Sequence, residues 1–388
     1  MHKMFQKAMD CCGCRACEDI CAQKAIRMET DAQGFWYPVI DGDKCVDCGQ
    51  CKEVCQIGKW DAVGINAVKQ CYGVKNKEEI RAVSSSGGVY TAISDYVLRQ
   101  GGLCVGACYD EAMRVVHAVA TSSEERDRFR GSKYVQSDMA GMYKLIRSFL
   151  TEGKYVLFTG TPCQCAALKL YLQKKKTDTT HLVLMDVVCH GVPSPRVWAE
   201  HVRALEKAMD AKMTDYTFRN KEVGWRNYNV KAWFANGKTC SGTPKVKTFA
   251  RLFSMDVMLR PSCYYCPYAS MERCADVTIG DFWGIEQLDA AYSDNQGVSM
   301  LFINTQKGAA LWEACSGDVV SAKKYDPSKL TQPQLFGPTN FSREYDAFWK
   351  EYTKRGYAGI TVKFGSGNKT TARFYDFIRK VKNRLARV

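Results

Sequence analysis

The spacing of apolar and polar positions changes several times along the chain, and each change marks a different kind of element. Phe35-Trp36-Tyr37-Pro38-Val39-Ile40 is a short apolar run read as a strand. Val89, Ile93, Tyr96 and Val97 recur at helical spacing and stop at Gly101-Gly102, which predicts a helix with a glycine end. Leu103 to Tyr109 and Val115 to Ala120 read as two strands turning at Asp110-Glu111. From Tyr155 the pattern becomes strand, loop, helix. Tyr155 to Phe158 precedes a helix from Pro162 to about Gln173, and Leu182 to Val188 precedes a helix from about Pro195 to Ala208. Proline in a first helical turn is favourable because its missing N–H had no partner there. Tyr228 to Phe234 alternates and meets Asn236-Gly237, a hairpin signal. Asp276 to Gly284 reads as a strand entering a glycine-bounded loop. Ser299 to Asn304, with a helix after Lys307, completes another β–α unit.

With 388 residues the chain has room for two or three domains, and 46% hydrophobic with 25% charged residues is ordinary globular composition. No stretch approaches the eighteen or so apolar residues of a membrane span. The first residues lack the apolar centre of an export signal, so the expected compartment is the cytoplasm.

The net charge is +14, partly gathered at residues 369–388. There Phe374, Phe377, Ile378, Val381 and Leu385 recur at helical spacing with Arg and Lys between them. Such a basic amphipathic helix suits anionic lipid at the inner face of a membrane, a partner protein, or packing on the body of the chain. A nucleic-acid role is not expected, since no recognisable module accompanies the basic residues.

Twenty cysteines change the picture most. In a large unexported chain they read as ligands and packing thiols before disulfides. Cys11, Cys14, Cys17 and Cys21 form one C-x2-C-x2-C-x3-C run, and Cys45, Cys48, Cys51 and Cys55 form a second. Short loops aim three thiolates at three corners of a cubane, and the fourth cysteine of each run reaches the other cluster. One 4Fe–4S cluster is thus assigned to Cys11, Cys14, Cys17 and Cys55, the other to Cys45, Cys48, Cys51 and Cys21. A zinc module is the alternative, but zinc often recruits histidine and none lies between residues 3 and 116. The proline usual after the fourth cysteine is Ala22 in one run and Gln56 in the other, and Cys12 is surplus. The predicted architecture is a two-cluster ferredoxin fold followed by an α/β body, an α+β and α/β multidomain chain.

Beyond the runs the signals are weaker taken singly. Ser84-Ser85-Ser86-Gly87-Gly88 opens a helix and suits a phosphate or diphosphate, or is a plain helix cap. The segment Gly131 to Ser137 mixes a cation, a ring and amide and hydroxyl groups, fit for a cofactor pocket or a surface turn. Cys163 and Cys189 follow predicted strands, where open α/β sheets place ligands. Cys263 and Cys266 form a C-x2-C pair that alone would read as half a zinc site. Cys71, Cys104, Cys108, Cys240, Cys274 and Cys315 lack ligand spacing and are expected as buried packing thiols.

In order, these motifs resemble the coenzyme F-420 hydrogenase/dehydrogenase beta-subunit family, in the branch with an N-terminal two-cluster ferredoxin. The carrying segments are Ser85 to Gly88, Lys133 to Ser137, Thr159-Gly160-Thr161-Pro162-Cys163-Gln164, Cys189-His190-Gly191, Cys263 to Pro267 and Asp276 to Gly284. The resemblance implies a third 4Fe–4S cluster on Cys163, Cys189, Cys263 and Cys266. It also implies FAD approached by Ser86, Gly87, Gly88, Lys133, Tyr134, Gln136, Ser137, Thr159, Gly160, Thr161, Asp281 and Trp283.

The expected divisions are 1–62 for the ferredoxin, 70–152 and 153–330 for two beta-subunit-type domains, and 331–388 for a C-terminal extension. The implied function is an iron–sulfur flavoprotein oxidoreductase, suited to anaerobic conditions. It would pass electrons between a soluble ferredoxin-type donor and an organic acceptor: a deazaflavin, a tetrapyrrole, or a glycan precursor of cell-surface polysaccharide metabolism. The rival is a non-catalytic electron-transfer subunit of a larger redox complex. No catalytic residue is assigned.

Overall fold

The computed structural model describes residues 7–365. The basic apolar-spaced segment from Lys369 to Arg387 lies outside the described residues. At the N-terminal end, β1 (Ile26–Thr30) and β2 (Trp36–Ile40) pair antiparallel, Ile26 opposite Ile40. The cysteine runs lead into two short helices, Ala16–Ile20 and Gln50–Glu53. Phe35, at the mouth of β2, is fully buried.

The body adds β3 (Asn66–Ala67), β4 (Gln70–Lys75), β5 (Leu103–Tyr109), β6 (Val115–Ala120), β7 (Val156–Gly160) and β8 (Leu182–Val187). Then come β9 (Met213–Asn220), β10 (Asn229–Phe234), β11 (Thr239–Ser241), β12 (Glu272–Arg273), β13 (Val277–Asp281), β14 (Ser299–Ile303) and β15 (Ser321–Tyr325). Eight of these form one sheet in the order β15-β4-β14-β13-β8-β7-β5-β6. Its centre, β13, β8, β7 and β5, is parallel. The outer pairings are antiparallel. Strands from both sides of residue 152 share this sheet, so the two spans of the body are joined by backbone hydrogen bonds.

Both faces of the sheet are covered, which is why the central strands read as continuous apolar runs. Along β7, Val156 and Phe158 pack toward the helices Met142–Thr151 and Pro162–Lys174, while Leu157 packs toward Val89–Arg99 and Gln306–Cys315. A separate three-stranded sheet, β11-β10-β9, packs with helices Pro195–Met209, Pro244–Ser254 and Tyr345–Phe364 around a second core that includes Trp198 and Phe249.

The ferredoxin module is built into the body. Ala16, Ile20 and Val54 are buried in the same core as Met142, Tyr143 and Tyr171. The helix Met142–Thr151 has Gly141 at its N-cap and no local side-chain cap. Asp19 supplies one instead, accepting from the Gly141 and Tyr143 amides at 3.1 Å each. Orphan amides at a helix start need such an acceptor, and here it comes from 122 residues away. Tyr143 answers by donating its hydroxyl to the Cys14 carbonyl at 2.7 Å. No helix among the described residues is long and apolar enough to cross a membrane.

Candidate functional site

A cavity of about 780 Å³ opens where the central strands end. Its walls are the Thr159–Thr161 turn after β7, the 187–192 loop after β8 and the end of β13 at Asp281. The Ser84–Gly88 loop, the 129–137 loop, the face of β9 and β10 at Arg219 and Tyr228, and the helix Pro244–Ser254 complete it. Cys12, Cys14, Cys163 and Cys189 lie on its lining.

Most of the residues named for a cofactor come together here: Ser86, Gly88, Lys133, Tyr134, Gln136, Ser137, Thr159, Gly160, Thr161, Asp281 and Trp283 all line the cavity. Gly87 does not. A Cβ on Gly87 would overlap the Val74 carbonyl and the Ser299 amide, so its role is to let the loop lie against β4 and β14. Gly88, at φ 84°, caps the helix Val89–Arg99 with no side-chain acceptor of its own, and the Val89 amide instead meets the Ser299 hydroxyl at 3.5 Å. Lys133 is held locally: its ammonium donates to the Arg128 and Arg130 carbonyls at 2.7 and 2.8 Å, and burial brings its pKa down to about 8. Tyr134 stacks on Phe253 with ring centres 4.7 Å apart.

Sequence reading missed His117, on β6, which lines the same cavity. Burial lowers its pKa to about 4, so the ring is neutral. With the Thr159 carbonyl 3.1 Å from Nε2, that nitrogen carries the proton, and Nδ1 accepts from the Ser137 hydroxyl at 3.0 Å. Ser137 in turn accepts from Gln164 Nε2 at 2.9 Å, while Gln164 Oε1 accepts from the Thr161 amide at 2.9 Å. The chain fixes the Thr159–Thr161 turn and every rotor in it.

Arg219 was also missed. Its side chain is 2% exposed, lies over the rings of Tyr228 and Trp283 at 4.7 and 4.8 Å, and faces Asp281 at 3.7 Å. Trp283 itself stacks on Trp225 at 4.5 Å. The lining cations are Arg130, Lys133, Arg219, Lys247 and Arg251, against one acid, Asp281.

The cysteines gather in three neighbourhoods. Cys17 has Cys11, Cys55 and Cys51 as its neighbours, while Cys51 has Cys21 and Cys45. Cys55 thus stands near Cys11 and Cys17 of the first run, and Cys21 near Cys51 of the second. Cys48 is exposed, and Cys17 is buried.

In the body, Cys189 neighbours Cys266, Cys263 neighbours both, and Cys163 neighbours Cys266 and Cys12. Burial raises Cys189 to about 12 and also raises Cys263 and Cys266. A thiol so buried stays protonated until a metal replaces its proton. Cys12 is the exception: hydrogen bonds from the Cys14 and Cys163 thiols pull it well below its ordinary range. Cys12 therefore links the first ferredoxin run to the body's set. Gln56 holds this junction, donating one amide group to Cys12 Sγ at 2.8 Å and the Cys163 carbonyl at 2.9 Å. Proline at position 56 has no such group to offer.

Among the described residues no three such side chains converge on a point suited to one metal ion. Thiols that each reach a separate corner of a cubane have no need to. Cys71, Cys104, Cys108, Cys274 and Cys315 are buried, as expected of packing thiols, but Cys240 is half-exposed on a three-residue edge strand.

Comparison with known proteins gives a consistent result. Residues 10–59 match the 4Fe-4S dicluster domain. Residues 71–144 match the N-terminal model of the coenzyme F420 hydrogenase/dehydrogenase beta subunit, and residues 153–328 match its C-terminal model. An F(420)H(2) dehydrogenase subunit of Methanosarcina mazei is 25% identical over 190 residues, 46% of this chain and 53% of that protein. Ferredoxin-type protein NapF of Haemophilus influenzae is 35% identical over 57 residues, 15% of this chain and 31% of that protein. The chain thus spans about half and about a third of the lengths of these two relatives. A chain of the F420-reducing [NiFe] hydrogenase complex from Methanosarcina barkeri aligns over 77% of this chain and 92% of its own length, with 18% identity and a TM-score of 0.46. With both of its family segments matched and a dicluster domain ahead of them, the chain belongs to the coenzyme F420 hydrogenase/dehydrogenase beta-subunit family.

Proposed function

We propose that the chain is an iron–sulfur flavoprotein oxidoreductase that moves electrons between a ferredoxin-type donor and an organic acceptor. The carrying observation is the cavity itself, an organic-cofactor-sized space whose lining includes thiols of the first ferredoxin run and of the body's set. Its residues fit FAD on three counts. The helix start at Gly88 and the surplus of cations suit a diphosphate. The rings of Phe129, Tyr134, Phe253 and Trp283 on the lining suit a flat ring system. The Ser137–His117–Gln164 chain presents fixed dipoles at the cavity wall.

Cys163, Cys189, Cys263 and Cys266 would hold a third 4Fe–4S cluster. Bound FAD would supply the exchange between single electrons and electron pairs that clusters lack. The protein's own residues bind and orient. Arg219 and Asp281 form a compensated pair at one wall, Tyr134 and Phe253 close another, and neutral His117 keeps the Thr159–Thr161 turn in place. The expected divisions at residues 62, 152 and 330 remain part of this reading, as units of cofactor binding.

The test is iron, sulfide and flavin per chain after anaerobic purification. About twelve irons with one flavin supports the proposal, and acceptors, including coenzyme F420 and nucleotide-sugar precursors, are then screened. About eight irons and no flavin overturns it. A second reading, an electron-transfer subunit without substrate chemistry of its own, draws on the subunit status of the Methanosarcina mazei relative. A stable partner in an anaerobic pulldown, with turnover only in its presence, would favour that reading.

A further inference from the structure

Six arginines of the described chain are buried, and five of them pair with a carboxylate. Arg15 meets Asp138 and Glu18, Arg81 meets Asp294, Arg126 meets Asp95 and Asp127, Arg219 meets Asp281, and Arg273 meets Asp186. Arg260 is the sixth. It is 0% exposed, and among the described residues no carboxylate pairs with it. Its fork instead donates to the Cys11 carbonyl at 2.7 Å, the Trp36 carbonyl at 2.8 Å and Gln136 Oε1 at 3.1 Å. The cation lies over Tyr37 at 4.3 Å and Phe35 at 5.4 Å.

Neutral acceptors and rings orient a guanidinium but do not balance its charge, and an unbalanced buried charge is costly. The anion on hand is the cluster that the first cysteine set would hold. Arg260 bears most closely on Cys11, and at longer range on Cys12 and on Cys263 of the body's set. The close fit is visible at Gly13, where a Cβ would stand 2.8 Å from the guanidinium.

The outer set is different. Cys48 is exposed, Cys45 is half-exposed, and the carboxylate of Asp47 lies 3.9 Å from the Cys45 sulfur. Reduction adds a negative charge to a cluster. Burial alone would therefore make the inner cluster the harder one to reduce, and a resident electron would stay at the surface. A buried, carboxylate-free cation beside the inner cluster reverses that order, because net charge and burial together set a cluster's potential.

We propose that Arg260 is the counter-charge of the cluster held by Cys11, Cys14, Cys17 and Cys55, and sets its reduction potential above that of the outer cluster. An electron entering at the exposed face then rests on the cluster nearest the cavity. Arg260 is a positioning residue that acts through charge. The inference rests on the dicluster domain alone and is independent of the flavin.

The experiment is an anaerobic redox titration of the full chain followed by electron paramagnetic resonance. The outer signal is identified as the one perturbed in Cys48→Ser, and the iron content of each variant confirms that both ferredoxin clusters are loaded. In Arg260→Met the inner cluster should move to lower potential by at least a tenfold change in the one-electron equilibrium, 59 mV, with the outer cluster unmoved. Arg260→Lys should retain most of the wild-type value. Gln136→Glu places a carboxylate against the same guanidinium without removing it and should lower the inner potential likewise, so the idea stays testable if the methionine variant does not assemble. Unchanged inner potentials in Arg260→Met, or in Gln136→Glu where that variant alone assembles, would overturn the proposal. So would a lysine variant that falls as far as the methionine one.

Discussion

Replacing Arg273 by methionine should cost the protein one particular part of its site. The Arg273–Asp186 pair is 1% and 0% exposed with its oxygen and nitrogen 2.9 Å apart. Arg273 also donates to the carbonyls of Val187, Tyr268 and Ser270 and to the Thr278 hydroxyl. Asp186 precedes Cys189 by three residues and Arg273 follows Cys266 by seven, so the pair ties together the two loops that carry Cys189, Cys263 and Cys266.

Removing one partner of a buried pair costs about 3–5 kcal/mol. Burial already pushes the Asp186 carboxyl up against the pull of Arg273, so it takes up a proton once the arginine is gone. That relief places the cost near the low end, about 3 kcal/mol, with the orphaned carbonyls adding roughly 1 kcal/mol each before relaxation. Against a typical total of about 5–15 kcal/mol the fold should survive while these loops loosen. The assay is thermal melting with iron analysis on anaerobically purified Arg273→Met. A lower midpoint and loss of about four of about twelve irons, with both ferredoxin signals retained, is expected. Arg273→Lys should fall between, because an ammonium cannot satisfy five acceptors in one plane. A methionine variant with wild-type midpoint and full iron would refute the reasoning.

Other outcomes follow from the same geometry. His117 has a pKa depressed from 6.5 to about 4, so its contribution is complete above pH 6.5 and is lost as pH falls through 4. That is about 3 kcal/mol at most, and His117→Phe should show a correspondingly shallower loss of melting midpoint between pH 7 and 4; parallel curves would count against it. Gly87→Ala forces the Ser84–Gly88 loop off β4 and β14, so flavin per chain should fall sharply while iron holds; full flavin occupancy contradicts this. Gln56→Leu keeps the volume but removes both bonds of the cluster junction. It should cost about 1–3 kcal/mol and alter the inner ferredoxin signal, whereas an unaltered spectrum would show the junction to be incidental.

Much of the fold was legible because its signals are local. The predicted hairpin at 103–120 and the strand–helix units after Val156 and Leu182 lie where apolar spacing and Thr161-Pro162 or Ser194-Pro195 starts put them. The helix Met142–Thr151 was not legible, since its cap is Asp19, far away in sequence, and Gly141 gives no local start signal. β9 was missed because Thr214, Asp215, Thr217 and Arg219 interrupt its apolar positions. β4, short and holding Gly73, gives no strand signal, yet it is an interior strand between β14 and β15.

In the site, cysteine spacing carries its own meaning, so the two runs could be read from the sequence directly. His117, Arg219 and Arg260 carry no such pattern. Each acquires its role only from what the folded chain packs around it.

The junction at Gln56 and Cys12 bears on how such chains can be recombined. A ferredoxin cassette from another protein, spliced in near residue 62, would bring proline to position 56 and a side chain of its own choosing to position 19. The grafted cassette would have its cysteines in order and still lack the amide that bridges to Cys163 and the carboxylate that starts the helix at Met142. Successful exchange therefore requires swapping the cassette together with the face it sits on, so engineers seeking a new electron donor for this scaffold should remodel the exposed rim around Cys48 and leave the inner half in place.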